Sequence, residues 1–332
     1  MYGCIDVSSA TNPHSTPDSS HFAGNMGVAG LLPALSACTQ QVHITEYRGK
    51  RVAVDSYVCL HKAVLTCAAD LCLNVPTSKY VDYFVARVQD LIQAGVIPVL
   101  VFDGDRLPAK QEEETRRKTT RLRCLSNAIQ CRQEGNKKEA ERLFAQAVDV
   151  TPQLAHAVQC AISNLGIEIL VAPYEADAQL TFLARNGHVD AVISEDSDLL
   201  VYGCPEVLFK YESVSGTCDR IVERDLASCM SLPSDTDADF LKHVAVLTGC
   251  DYCPGVPGIG IKKSVDALKN GGGYVGAVTT LRAQGRALND DDVHRMNLLL
   301  LYAVKMHARS SKTVFQRICL RIQHPPANCK RR

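Results

Sequence analysis

Tyr174-Glu175-Ala176-Asp177-Ala178-Gln179-Leu180 and Ile193-Ser194-Glu195-Asp196-Ser197-Asp198-Leu199 decide the fold of this chain. Each acidic cluster follows an apolar run, residues 167–173 before the first and 191–193 before the second. Short apolar runs of this kind read as buried strands. A carboxylate just past such a strand stands at the carboxyl rim of a parallel sheet, where open α/β folds bind ligands. Acids crowded on one rim repel one another unless cations neutralise them. All-oxygen ligands favour Mg²⁺ or Mn²⁺ over Zn²⁺.

The flanking sequence repeats the pattern. Val52-Ala53-Val54-Asp55 is a short strand ending in an acid. Residues 57–73 read as a helix carrying His61 and Lys62. Residues 80–94 place Val81, Phe84, Val85, Val88, Leu91 and Ile92 at helical spacing, and Gly95 stops them. Residues 96–102 form a second strand, closed by Asp103-Gly104. The alternation resumes over residues 150–210. The expectation is an α/β fold: a doubly wound, mostly parallel sheet flanked by helices.

Residues 108–148 interrupt it with a charged, helix-prone segment containing Lys110, Arg116, Arg117, Lys118, Arg121, Arg123, Lys137, Lys138 and Arg142. Charge alone fits either a solvated helical pair or a basic insertion that handles phosphates. Its place directly after Asp103 favours the insertion. Residues 239–250 read as a helix. Gly255-Val256-Pro257-Gly258-Ile259-Gly260-Ile261-Lys262-Lys263 follows, then a helix to about Asn270. A Gly-rich turn between helices exposes backbone groups to anions, which suggests contact with duplex phosphates near Gly258, Gly260, Lys262 and Lys263. Residues 271–273 read as flexible and 293–306 as a last helix.

Composition adds bounds. With 332 residues the chain holds one large domain or two, and 46% hydrophobic residues suffice for a core. Basic and acidic residues number 36 each, so the zero net charge excludes no partner class. Of 15 cysteines, Cys250-Asp251-Tyr252-Cys253 forms a CxxC with no second pair to complete a zinc site. Most of the others, such as Cys59, Cys67, Cys72 and Cys160, sit in apolar runs and read as reduced core residues, in a reducing compartment. No apolar run reaches transmembrane length. Residues 1–25 lack Lys and Arg and read as a disordered, dispensable extension, neither transit peptide nor secretory signal. A single domain over residues 26–323 and a basic tail over 324–332 are expected.

Seven acids stand out: Asp55, Asp103, Glu175, Asp177, Asp196, Asp198 and Asp251. Asp196 and Asp198 share a side if their segment is extended. Glu175 and Asp177 converge only if Glu175 lies at a bend before a helix. Seven acids that can converge suit two metal ions about 4 Å apart and in-line attack on a phosphodiester. Lys and Arg from the insertion could neutralise charge on the scissile phosphate.

At these residues the chain resembles the five-prime nuclease family, which includes flap endonucleases, and within it the exonuclease 1 type. The matching segments are Met26-Gly27-Val28-Ala29-Gly30-Leu31-Leu32, Val54-Asp55-Ser56-Tyr57, Leu60-His61-Lys62, Val101-Phe102-Asp103-Gly104, residues 170–180, residues 194–200 and Gly249-Cys250-Asp251-Tyr252. The resemblance implies a two-metal 5′→3′ double-strand exonuclease that also cuts 5′ flaps, with the seven acids holding two Mg²⁺ and Mn²⁺ able to substitute. It implies that residues 108–148 form a helical arch whose Lys110 and Arg117 pin the scissile phosphate. Tyr57, His61, Lys62 and Arg121 become DNA contacts. The hairpin becomes a helix-two-turn-helix motif with a K⁺ held by backbone carbonyls of Thr248, Gly255 and Ile259. The glycine of Met26-Gly27 is expected near the active site. The implied setting is a nuclear, monomeric DNA-repair enzyme acting on 5′ ends, nicks, gaps or flaps, with mismatch-repair or replication proteins as candidate partners. Two alternatives stay open: a flap endonuclease acting mainly on replication flaps, and a non-catalytic DNA-end-binding protein.

Overall fold

The strand Arg51–Asp55 (β2) shows how the sheet is built. Successive side chains point to opposite faces. Val52 and Val54 enter one hydrophobic core, while Ala53 enters the other. Ile97–Phe102 (β3) divides likewise, Leu100 and Phe102 on one face and Val99 and Val101 on the other. Strands buried on both faces need helices on both faces, and the chain supplies them.

The structure, a computed structural model, describes residues 27–106, 110–230, 239–286 and 293. The expectations for residues 1–25, the helix over 293–306 and the basic tail lie outside the described residues or nearly so. The other strands are Gln40–His43 (β1), Glu168–Val171 (β4), Ala191–Ile193 (β5), Glu206–Glu212 (β6) and Thr217–Val222 (β7). They form one seven-stranded sheet in the order β1-β7-β6-β5-β2-β3-β4. From β6 to β4 all neighbours are parallel, while β7 and β1 add antiparallel at one edge. The short helix Leu31–Ala34 (α1) precedes β1.

One face is covered by Ser56–Leu65 (α2), Lys79–Gln93 (α4) and Pro152–Ser163 (α7). In α4, Tyr80, Phe84, Val88 and Leu91 form the buried stripe, and Gly95, at φ +86°, ends the run. The other face is covered by Ala176–Arg185 (α8), Phe240–Thr248 (α11), Ile261–Asn270 (α12) and Tyr274–Ala283 (α13). Between β3 and α7, Gln111–Gln133 (α5) and Lys137–Ala147 (α6) pack together. Cys124, Ala128, Ala140, Leu143, Phe144 and Ala147 give this pair its own small core, joined by Ala68.

The scaffold differs from the sequence expectation in two places. The helix over 57–73 is two helices, α2 and Ala68–Cys72 (α3), because Thr66 turns back and donates its hydroxyl to Ala63 O at 2.7 Å. The antiparallel edge was not expected: Gln-Gln-Val-His offers one apolar residue and no alternation. Residues 271–273 form the turn between α12 and α13, where a Cβ on Gly276 would lie 1.9 Å from Gly271 O.

The segments that follow β3 and β4 stay hydrogen-bonded to each other. Gly104 N–H donates to Tyr174 O at 2.6 Å and Asp105 N–H to Pro173 O at 3.1 Å. A Cβ on Gly104 would stand 2.0 Å from Ala172 O. Gly104→Ala should therefore destabilise the fold by about 1–3 kcal/mol through overpacking. Urea unfolding measures this, and an unchanged midpoint would refute it.

Candidate active site

Each acid is placed by the end of an element. Asp55 ends β2 and caps α2: its Oδ1 accepts from Val58 N–H at 3.1 Å, and its Oδ2 from the Ser194 hydroxyl at 2.8 Å. Ser194 Oγ accepts in turn from Asp196 N–H at 3.0 Å, and Asp196 Oδ1 from Asp198 N–H at 2.8 Å. One chain of hydrogen bonds thus links the rims of β2 and β5. Asp103, directly after β3, accepts from Ala176 N–H at 2.6 Å, where a carboxylate favours a helix N-terminus. Glu175 is the residue before α8, in extended conformation, and Asp177 lies in its first turn. That is the bend the pair needs to converge.

Asp196 and Asp198 do not lie in an extended segment. Ser197 is helical, and Asp198 opens the helix Asp198–Val201 (α9). A competing preference decided this: the Asp196 carboxylate accepts from the nearby Asp198 N–H, which folds the segment rather than extending it. Val28 N–H donates to Ser197 Oγ at 2.9 Å. Gly27, at φ +79°, packs so tightly that a Cβ would lie 2.4 Å from Asp196 Oδ1 and 2.6 Å from Asp198 Oδ1. Cys250 and Cys253 exchange backbone hydrogen bonds of 2.9 and 3.0 Å, leaving Asp251 and Tyr252 at the tip of a two-residue turn.

Two cations enter this rim from the α5–α6 insertion. Lys110, the residue before α5, places Nζ 2.6 Å from Glu175 Oε1 and 3.5 Å from Asp251 Oδ2. Arg117 reaches the same Asp251 oxygen at 2.9 Å and is braced by Glu113 at 2.8 Å. The Lys110 ammonium also lies 4.7 Å above the Tyr252 ring. Burial opposes the charge on Lys110, but Glu175 and Asp177 outweigh it and raise its pKa.

Burial and then Asp103 push Asp55 up to about 7, and burial pushes Asp103 up to about 6. Burial, joined by Asp196, raises Asp177 and Asp198 well above the usual carboxylate range, and burial raises Asp196 itself. Asp198 Oδ1 is buried with no hydrogen-bond partner among the described residues. Among those residues no three such groups close on one point at ligand distance; Lys110 bridges Glu175 and Asp251 instead. The donor set still fits hard divalent cations: it is all oxygen, it holds an unsatisfied buried carboxylate oxygen, and it draws in two cationic side chains.

The family models described as XPG N-terminal domain and XPG I-region match residues 26–124 and 166–251. The chain belongs to the XPG family. It is 41% identical over 244 residues to "Exodeoxyribonuclease 1" of Schizosaccharomyces pombe, covering 74% of this chain and 43% of that protein. The chain thus spans less than half of that relative. Its fold resembles the catalytic core of Rad2 in complex with DNA substrate, with TM-score 0.60, 19% identity and 86% of each chain covered. It also resembles the Holliday junction-resolving enzyme GEN1 in complex with product DNA and Mg²⁺, with TM-score 0.57, 20% identity, 90% of this chain and 69% of that one.

In this XPG-family chain the other expected residues stand on α2, on α5 and at the hairpin between α11 and α12. Lys62 pairs with Glu195 at 2.5 Å. Tyr57 meets Phe102 edge-on. His61 is exposed on α2, with Arg117, Arg121 and Asp149 as charged neighbours, and Arg121 pairs with Asp149 at 3.1 Å. At the hairpin, Gly258 and Gly260 are exposed, Lys263 donates to Gly258 O at 3.1 Å, and Lys262 is exposed. A Cβ on Gly255 would lie 2.5 Å from Thr248 C, so these backbones run in contact, and Ile259 N–H closes a turn onto Val256 O.

Sequence reasoning assigned no role to Ser194, Tyr202 or Tyr252. Tyr252 donates to Glu175 Oε2 at 2.5 Å, and its oxygen lies 2.7 Å from that of Tyr202. Burial first, and Glu175 as well, raise both phenols, which stay protonated. Adjacency to Asp251 was the available signal for Tyr252, and a place two residues before Asp196 for Ser194.

Raised carboxylate pKa values make stability pH-dependent with a definite sign. A carboxyl group whose folded pKa lies above its unfolded value stabilises the fold at low pH, and that stability is lost as pH rises through the folded pKa. The metal-free protein should thus lose this stabilisation as pH rises through about 6 to 7, the values of Asp103 and Asp55. A divalent cation held by these oxygens would compete with their protons, so Mg²⁺ should raise the melting temperature more at about pH 8 than at about pH 5.5. Melting curves with chelator and with Mg²⁺ check this, and a larger increment at the lower pH would contradict it.

Proposed function

We propose that this chain is a 5′→3′ double-strand DNA exonuclease that also cuts 5′ flaps, working in repair in the nucleus. The carrying observation is the seven carboxylates at one rim with Lys110 and Arg117 delivered among them by the arch. Relatedness to a protein named exodeoxyribonuclease 1 and structural likeness to DNA complexes support the substrate class. On this reading Asp55, Asp103, Glu175, Asp177, Asp196, Asp198 and Asp251 would hold two Mg²⁺ ions. That pair, when bound, would supply an activated water and stabilise the leaving 3′-oxygen.

The chain's own residues do the rest. Lys110 and Arg117 exchange their carboxylate partners for the scissile phosphate and neutralise its growing charge. Tyr57, His61, Lys62 and Arg121 line the approach of the split strands. Lys262 and Lys263, with the backbone at Gly258 and Gly260, take the duplex phosphates without reading sequence. Carbonyls of Thr248, Gly255 and Ile259 would hold K⁺ and stiffen that hairpin.

The test is cleavage of nicked, gapped and flapped duplexes labelled at the 5′ or the 3′ end. Asp198→Ala should abolish cleavage in Mg²⁺ and leave DNA binding in Ca²⁺ intact; near-normal turnover would overturn the metal assignment. Lys110→Ala and Arg117→Ala should lower kcat by roughly 10- to 1,000-fold, as losing a transition-state donor does. A change confined to KM would make them substrate holders only.

A further inference from the structure

We infer that Tyr202 is a positioning residue of this site: its hydroxyl holds Tyr252, and through Tyr252 the Glu175 carboxylate, in place. The inference rests on the nuclease reading above and adds a residue that reading does not use.

The direction of the hydrogen bonds follows from counting protons. A phenol carries one, and a carboxylate paired with an ammonium only accepts. Tyr252 lies 2.5 Å from Glu175 Oε2, so its proton goes there. The 2.7 Å contact between the phenol oxygens then requires Tyr202 to donate and Tyr252 to accept. The two bonds run in series, Tyr202 to Tyr252 to Glu175, and donors aligned this way strengthen one another.

The relay ties together parts of the rim that no backbone ladder joins. Tyr202 closes α9, the helix that Asp198 opens, and its N–H donates to Asp198 O at 2.8 Å. Tyr252 sits on the Cys250–Cys253 turn beside Asp251. Glu175 stands at the head of α8. Three separate elements carrying Asp198, Asp251 and Glu175 are therefore held in register by two phenols. Lys110 covers the Tyr252 ring and takes the other Glu175 oxygen, so a tilted Tyr252 would displace Lys110 as well. Tyr202→Phe would preserve the packing and remove the hydroxyl that bonds Tyr252.

The experiment uses the full chain and its Tyr202→Phe, Tyr252→Phe and doubly substituted variants. Ca²⁺ binding without DNA is read by titration calorimetry, and single-turnover cleavage of a flapped duplex is read in Mg²⁺. Tyr202→Phe should weaken Ca²⁺ binding by about 2- to 12-fold, the factor equivalent to a neutral hydrogen bond of about 0.5–1.5 kcal/mol. It should slow single turnover at saturating DNA while leaving KM unchanged. In the Tyr252→Phe background the same substitution should change neither reading, because the relay is already cut. Equal losses in both backgrounds, no loss in either, or a loss that tracks a fall in melting temperature of more than about 8 °C would overturn the inference. If the unsubstituted chain neither binds Ca²⁺ nor cuts DNA, the nuclease reading itself fails and the inference with it. If that chain cuts and the series dependence is missing, the inference alone fails.

Discussion

Like charges brought together out of water are what this structure has to manage. A parallel sheet delivers its strand ends to one rim, and here those ends carry Asp55, Asp103, Asp196 and Asp198, with Asp177 behind them. Two unit charges 4 Å apart interact by about 4 kcal/mol at an effective dielectric of 20. Several ionised carboxylates at that spacing would oppose folding by more than a domain's net stability. The chain distributes the load: Val58 and Ala176 N–H groups and the Ser194 hydroxyl each take one oxygen. What remains is met by protons, by cations or by the two basic side chains of the arch.

The arch works by position more than by net charge. Its long helix α5 packs against α6, which in turn packs against α3, so Arg117 is presented on a stiff element. Lys110 stands at the start of that helix, where the helix dipole disfavours a cation. It is held there by Glu175 and Asp251. The docked arrangement therefore depends on the acid rim, and a change in rim charge is felt at once in the arch. Glu113 keeps Arg117 aligned while this happens.

Much of this was legible in the residues. The strands β2 and β3 are continuous apolar runs, α4 has a regular stripe, and the acids announce the strand ends. The requirement that Glu175 precede its helix was readable from a spacing of two, and α8 begins one residue later. Other parts carried no local signal. β1 is held at the edge by β7, across 180 residues between Gln40 and Arg220, and neither alternates cleanly. The turn at Ser197 came from side-chain-to-backbone bonds that compete with extension. Tyr202 reads as one more aromatic residue until Tyr252 is placed against it. Its meaning lies in a contact spanning 50 positions.

The same long-range contacts set when the site can exist during synthesis. Val28 closes on Ser197 across 169 residues, Asp55 on Ser194 across 139 and Arg117 on Asp251 across 134. Contacts of this reach form late and slowly, since loop closure must precede any reward. At about 5 to 20 residues per second, the ribosome needs roughly 10 to 40 s to pass from Asp55 to Asp251. Over that interval the emerging chain holds an incomplete rim, with its arch basic residues lacking the turn at Cys250–Cys253 on which they finally dock. Translation itself thus delays assembly of the rim until most of the sheet is present to enclose it.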